Sequence, residues 1–524
     1  MGIESQRANY LLIRIVSPLF YLPVGGGHLL ENTVEQALSC WPADGLHGRR
    51  VVYTDKKSIT PENVVEVVGK ALGVHRANRA EIQYLYDYYR GRQDIRLKEK
   101  VVRPEINNKV MVNRANEIVT FKTAYLLGEP LQYVSNGGED SISAQVNTLN
   151  EFMRAESKDT KDKEIADWMH ICGVGVRMVL PDEEGEEEGS PVSIYTLDPR
   201  EAFVIYHSGV GHKRLAGVLR QRDEDGVWYS CVYTRDYYYE IKNGRIVKQE
   251  ARTVPLIPIV EYAANTARMG AFEVVVPLLN AINNVESNRV DSIQDFVNAF
   301  DVFQNCEIDD DAYKALSQGG MAIQIKGTPG MEAKVYRIAS ELNQTNTQTL
   351  VDDLYDTALT ICGMPNRNGG SSTSDTGTAV IYRDGFAEAE SRAKDTEKTF
   401  IRSERDFLRI VLYICRETGD LNLQLSDIKP EFTRKNLSNV QSKVQVLCEM
   451  LNNSKIHPKL AFQYSGVFSD SEEAYRISQT YYDEQQAKLT RSLREEINAD
   501  NGGGMVQNNR PSSGAAEQQS GQEV

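Results

Sequence analysis

The sequence predicts an α+β fold divided among several domains. Three observations carry that reading. The chain has 524 residues, more than one compact core accommodates. A block near residues 194–262 alternates β-branched and aromatic residues with polar ones, as half-buried strands do. On either side of it, apolar residues recur every three or four positions over long stretches, the spacing of amphipathic helices.

Residues 1–57 are expected to form an N-terminal extension of uncertain order. Its apolar stretch, Tyr10 to Val24, is too short to span a bilayer, carries Arg14 in its middle and lacks a small-x-small cleavage site. From Ser58 the pattern sharpens. Thr60 reads as an N-cap with Pro61 at the first helical position, opening one helix. A second helix is expected over about Arg76 to Arg90, with Tyr84, Leu85 and Tyr88 on one packed face and Gly91 to stop it. Asn113 to Leu127 has helical spacing, ends at Gly128 with Pro130 beyond, and leads into an extended Pro130–Val134.

Within the β-rich block, Asn243-Gly244 between apolar runs signals a type I′ hairpin. The acidic run Asp182 to Gly189 is expected to be a solvated loop. Phe272 to Phe300 reads as a long amphipathic helix, interrupted around Glu286 to Arg289. Residues 301–340 read as a small mixed segment, with acids at Asp309, Asp310 and Asp311 and two short strands around Gly327 to Gly330. A helix is expected from Glu341 to Cys362, and then Asn366 to Gly377 is dominated by Gly, Ser and Asn, as a mobile loop is. A helix of about forty residues follows, Thr378 to Thr418, far longer than the usual three turns. Leu437 to Asn498 reads as helical with a turn at His457-Pro458, and residues 499–524 have the composition of a disordered tail.

The search for chemistry is mostly negative. Seven scattered cysteines, none in a CxxC pair, read as buried reduced thiols, and neither they nor the seven histidines fall at metal-ligand spacing. There is no GxxxxGK[ST] loop and no GxSxG elbow, so no enzyme and no cofactor are expected. The balance of 74 acidic and 59 basic residues, net −15, disfavours a strong DNA binder, because duplex affinity depends on phosphates neutralised by Lys and Arg. It leaves open a surface that repels DNA and lets it slide. The helix at 270–300 carries Glu273, Glu286, Asp291 and Asp295 against Arg289 alone. Residues 341–365 carry Glu341, Asp352, Asp353 and Asp356 with no base, so the pair has seven net negative charges. The long helix instead alternates sign from Arg383 to Arg416, which suits a spine between neighbouring subunits.

The order of these elements is distinctive. YYRGRQDI at Tyr88–Ile95 precedes NNKVMVNRANEIVTFKTAYLLGEPLQY at Asn107–Tyr133. Then come IPIVEY at Ile257–Tyr262, the helix–insert–helix–loop series, and GTAVIYRDGFAEAES at Gly377–Ser391. From about Ser58 to about Asn498 the chain resembles the SPP1-like portal family of tailed phages. The resemblance implies a portal fold of wing (58–269), stem helix (270–300), clip (301–340), second stem helix (341–365), tunnel loop (366–377), long wing helix and return (378–436) and helical crown (437–498). It implies a homo-oligomeric ring, dodecameric in the virion, at the capsid portal vertex, assembled in the host cytoplasm. Double-stranded DNA would pass through it, and its partners would be the terminase motor, a head-completion or adaptor protein, and capsid and scaffold proteins. No membrane is implied.

Carried onto this sequence, the channel loop would be Asn366, Arg367, Asn368, Gly369, Gly370, Ser371, Ser372, Thr373 and Ser374. The acidic wall would be Glu286, Asp291, Asp295, Asp352, Asp353 and Asp356. Asp309, Asp310, Asp311 and Lys326 of the clip would dock partners. The competing reading is a capsid-associated scaffold or adaptor that never meets DNA.

Overall fold

The computed structural model describes residues 48–101, 103–136, 140–182, 189–297, 300–307, 326–327, 330–332, 334–338, 344–365, 385–432, 440–468 and 471–501. The fold begins earlier than the expected boundary at residue 57. Arg49 is fully buried, with Glu81 at 2.7 Å and Glu273 at 2.8 Å, and strand β1 (Val52–Thr54) pairs in parallel with β5 (Ala202–His207). Two paired carboxylates around a buried guanidinium fix this segment more firmly than its composition suggests.

The two helices expected over residues 60–90 are one, α1 (Val64–Tyr89), entered through a turn in which the Asn63 side chain accepts from the Thr60 N–H at 2.9 Å. Gly69 and Gly73 lie within it. A glycine costs a helix about 1 kcal/mol, and here packing outweighs that. Val64, Val67, Val68 and Ala71 bury against Phe203, Ile205, Val218 and Val232 of a six-stranded sheet. His75 stacks on Phe203 at 4.3 Å, and burial pushes its pKa down to about 4.

That sheet has the order β1-β5-β6-β7-β8-β9, adding β6 (Arg214–Arg222), β7 (Trp228–Thr234), β8 (Tyr237–Lys242) and β9 (Arg245–Ala251). The β8–β9 hairpin turns at Asn243 and Gly244, with φ of 51° and 71°, as expected of a type I′ turn. A second sheet of three strands has the order β10-β3-β4, from β3 (Val174–Pro181), β4 (Val192–Leu197) and β10 (Ile259–Ala263). The sheets touch at Gly217, where an added Cβ would stand 2.7 Å from Ile259.

Helix α2 (Arg114–Leu127) is capped by the Asn113 side chain and leads to β2 (Gln132–Ser135). Helices α3 (Asp140–Ala155) and α4 (Lys158–Cys172) then cover the second sheet. After β10, α5 (Val276–Val297) runs without the expected break at residues 286–289 and packs antiparallel to α6 (Gln344–Cys362). Between them β11 (Phe300–Gln304) pairs with β14 (Lys334–Ile338), and β12 (Cys306–Glu307) with β13 (Lys326–Gly327). Helix α7 (Phe386–Thr418) crosses the second sheet and returns through β15 (Ile428–Glu431), which pairs with β2. Helices α8 (Val440–Leu451), α9 (Pro458–Ser465) and α10 (Ser471–Asn501) share a small core of Leu447, Ala461 and Phe462, with His457 capping α9. Of the expected buried thiols, Cys172, Cys231, Cys362 and Cys415 are buried and Cys448 is exposed.

The joint between α7, α4 and β3 is ionic and dry. Glu404, fully buried, faces Lys158 at 2.8 Å and Arg177 at 3.5 Å, and Asp162 pairs with both cations. Tyr133 and Tyr262 donate to the two Glu404 oxygens at 2.5 and 2.7 Å. Burial alone would raise the Glu404 carboxyl, but Lys158 and Arg177 outweigh it and hold it below the usual range. Removing one member of such a set strands the others in a low-dielectric interior. Glu404→Ala should therefore lower stability by about 3–5 kcal/mol, measured as the free energy of unfolding in denaturant. A loss below about 1 kcal/mol, the worth of an exposed ion pair, would mean the joint does not depend on this carboxylate.

Candidate functional site

The α5–α6 hairpin is the candidate site, and its placement follows from two faces of α5. One face is apolar: Val276, Leu279 and Ile282 bury with Phe272, Tyr88, Ile118 and, from α6, Val351, Ala358 and Leu359. The other is a ladder of small polar side chains at Asn280, Asn283, Ser287, Asp291 and Gln294. Tyr88 donates to Asn280 at 2.9 Å, and Asn280 to Asp94 at 2.9 Å. The backbone N–H groups of Val112, Val110 and Asn108 then donate in turn to Asn283 at 2.8 Å, Ser287 at 3.0 Å and Asp291 at 2.7 Å. The Asn108 amide also reaches Gln294 at 2.8 Å.

The match is geometric. Alternate residues of an extended segment are about 6.6 Å apart, and residues four apart on a helix about 6.0 Å. Three extended N–H groups therefore meet three consecutive rungs, and the backbone donors of Asn108, Val110 and Val112 are satisfied without a partner strand. The sequence reading missed this ladder and named one of its rungs, Asp291, as a wall acid instead. Its signal was present as small polar side chains at three- and four-residue spacing inside an otherwise apolar helix, beside an asparagine-rich extended segment.

The expected acidic wall is only partly a surface. Asp291 is buried, 2.9 Å from Lys98 and 3.5 Å from Lys100, so it leaves the set of wall acids. Burial alone would raise its carboxyl. The Asn108 N–H groups and the Lys98 ammonium outweigh that and hold it at about 2. Glu273, counted with the stem acids, is likewise buried against Arg49. Glu286 is half-buried, 3.8 Å from Arg289, and Arg289 also donates to Gln348 at 2.8 Å, so the hairpin's one arginine is engaged internally. Asp356 is half-buried, whereas Asp352 and Asp353 are exposed.

The side chain of Asp295 lies outside the described residues. So do the whole of Asn366 to Ser374 and Asp309, Asp310 and Asp311. Lys326 stands in β13 opposite Glu307. On α6, Leu350 and Ile361 are 48% and 43% exposed. At 100° per residue they share an edge roughly 120° around the helix from the mean direction of Asp352, Asp353 and Asp356. The hairpin thus offers one exposed apolar edge and one acidic edge.

A sequence model of the family described as "Phage portal protein, SPP1 Gp6-like" matches residues 70–497, which include the whole hairpin. The chain belongs to this family. A portal protein of Bacillus phage SPP1 is 22% identical over 428 residues, covering 76% of this chain and 80% of that protein. The resemblance read from the ordered motifs is therefore established, and the hairpin is that of a portal chain. No helix among the described residues is long and apolar enough to cross a membrane.

The ladder makes a pH-dependent claim. A carboxyl held at about 2 against an ordinary 3.8 stabilises the fold above pH 3.8, and that stabilisation is lost as pH falls from 3.8 towards 2. Asp291→Asn should cost about 2 kcal/mol at pH 7. The gap in melting temperature between variant and wild type should be constant above pH 5 and narrow below pH 4. A gap independent of pH down to the acid transition would contradict the pairing.

Proposed function

We propose that the chain serves in phage DNA packaging and ejection as the subunit of a closed ring, a dodecamer in the virion, at one capsid vertex. In this reading the α5–α6 hairpins stand around a central channel. The observation that carries it is the pairing of an exposed acidic edge with an exposed apolar edge on α6. Around a ring, the apolar edge meets the adjacent stem and the acidic edge faces the lumen. Such a wall repels phosphate and keeps duplex DNA from sticking, since each lysine or arginine on it would add a counterion-releasing contact. Asp352, Asp353 and Asp356 are the wall acids retained, with Glu286 and Asp295 beside them.

By the same reading, Asn366 to Ser374, between α6 and α7, touch the DNA at the narrowest point. Residues 301–340, with Asp309, Asp310, Asp311 and Lys326, dock the terminase and then a head-completion or adaptor protein. Helices α8–α10 form the crown, beside capsid and scaffold proteins. A scaffold that never meets DNA gives no role to an acidic hairpin whose one arginine is engaged internally. The family is a structural one, and no catalytic role is proposed.

Asp352→Lys/Asp353→Lys should leave assembly intact and slow packaging by about tenfold or more, with the defect shrinking as salt rises and screens the new contacts. Packaging rates in a defined motor assay check this, and an unchanged rate would mean these side chains do not face the DNA. Deleting Asn368 to Ser374 should spare the ring and impair packaging. Loss of the ring itself would make the segment structural.

A further inference from the structure

We propose that the outer face of α7 is an electrostatic docking strip for a second copy of this chain. The inference rests on the ring assembly proposed above. Lys398, Arg402, Arg405 and Arg409 follow one another at steps of four, three and four residues. They therefore stand on one face, over about 16 Å of helix. The side chains that α7 buries, Phe400, Glu404, Phe407 and Val411, occupy the opposite face. The strip points directly away from the core of its own subunit. A groove of about 560 Å³ runs along it, lined by the four cations with Ile401 and Asp406.

Most cations of α7 are balanced within the helix, and two of the strip are not. In the first half, cations pair within the helix: Arg392 with Glu388 at 2.7 Å and Lys394 with Glu390 at 3.4 Å. In the strip, Lys398 pairs with Asp395 at 3.4 Å, and Arg409 and Arg214 share Asp406, the one carboxylate lining the groove. Arg402 and Arg405 are exposed and meet no carboxylate among the described residues. Three successive like-charge neighbours at three- and four-residue spacing disfavour the helix that carries them. An anionic surface laid along the strip removes that cost. The expectation that α7 balances its own charge holds along its first half and for Lys398 and Arg409, and fails for Arg402 and Arg405.

The occupant follows from charge and symmetry. The chain carries −15 overall, so any neighbouring copy presents an excess of carboxylates. A ring is built from heterologous contacts, in which one face of a subunit meets a different face of the next, so a basic strip needs no self-complementarity. Identical acidic subunits repel unless each offers a local cationic surface to its neighbour. The groove also contains an isoleucine and a carboxylate, which suit a protein surface and oppose a phosphate backbone.

The test uses the full-length protein. Arg402→Glu/Arg405→Glu removes two cations with no carboxylate partner among the described residues, so the circular dichroism spectrum and unfolding midpoint of the subunit should be unchanged. The ring population, weighed by native mass spectrometry, should fall by about tenfold or more. Arg402→Lys/Arg405→Lys, which keeps the charge, should retain rings. In wild-type rings assembled from isotopically heavy and light copies, carbodiimide should couple Lys398 to a carboxylate of the differently labelled copy.

Undiminished rings in the double Glu variant, with no heavy–light cross-link at Lys398, overturn the inference and leave the ring reading standing. Intact rings that lose binding to a short DNA duplex assign the strip to DNA and also overturn it. A wild-type protein that forms no ring overturns the ring reading and this inference with it.

Discussion

Everything outward of the second sheet hangs on one buried ionic joint. Lys158, Asp162, Arg177 and Glu404 sum to zero charge, lie within contact of one another and are closed off by Tyr133 and Tyr262. Hydrophobic packing alone would let a long helix slide or rotate on a sheet, because apolar contact is non-directional. A dry, bidentate charge cluster does not allow that. It fixes the register of α7 on β3 and α4, and so fixes which face of α7 points outward. The external strip at residues 398–409 is a consequence of the internal residue at 404.

The α5–α6 hairpin is held by a second device of the same kind. Its ladder lets a helix serve as hydrogen-bonding partner to an extended backbone, through side chains of matching pitch. Apolar burial on one face and a polar ladder on the other leave α5 little freedom to rotate. The orientation of α6, packed antiparallel on it, is thereby set as well. In the proposed ring this property matters, since an acidic edge would repel DNA only if it kept facing the lumen. Asp291, which the sequence offered as a wall acid, and Glu273, counted in the charge of the same helix region, are buried in ion pairs that hold the hairpin in place.

Long elements with sustained periodicity were legible in the sequence: α6, the Asn243-Gly244 hairpin, α5 apart from its expected interruption, and α7 from Phe386 onward appear where their patterns put them. What was not legible has specific causes. Helix α1 read as two helices because propensity is local, whereas its packing on β5–β7 is not. Strand β3 escaped notice because Arg177 interrupts an apolar run, and only the fold supplies the two carboxylates that let an arginine be buried there. Helices α3 and α4 were missed for a similar reason, since Lys158 and Asp162 make the start of α4 look exposed. Counting acids on the two helices of the hairpin gave the sign of their charge but not their faces. The long-range pairings to Lys98 and Arg49, across some two hundred residues, decide which acids remain outside.

The measurement that tests the central claim most directly is an image reconstruction of the assembled protein, detailed enough to trace α5 and α6. The account predicts a closed ring with a central hole bordered by α6, with Asp352 and Asp353 facing that hole and Leu350 and Ile361 against the adjacent subunit. A ring whose α5–α6 hairpins lie on the outer rim, or whose hole is bordered by the basic strip of α7, would contradict it.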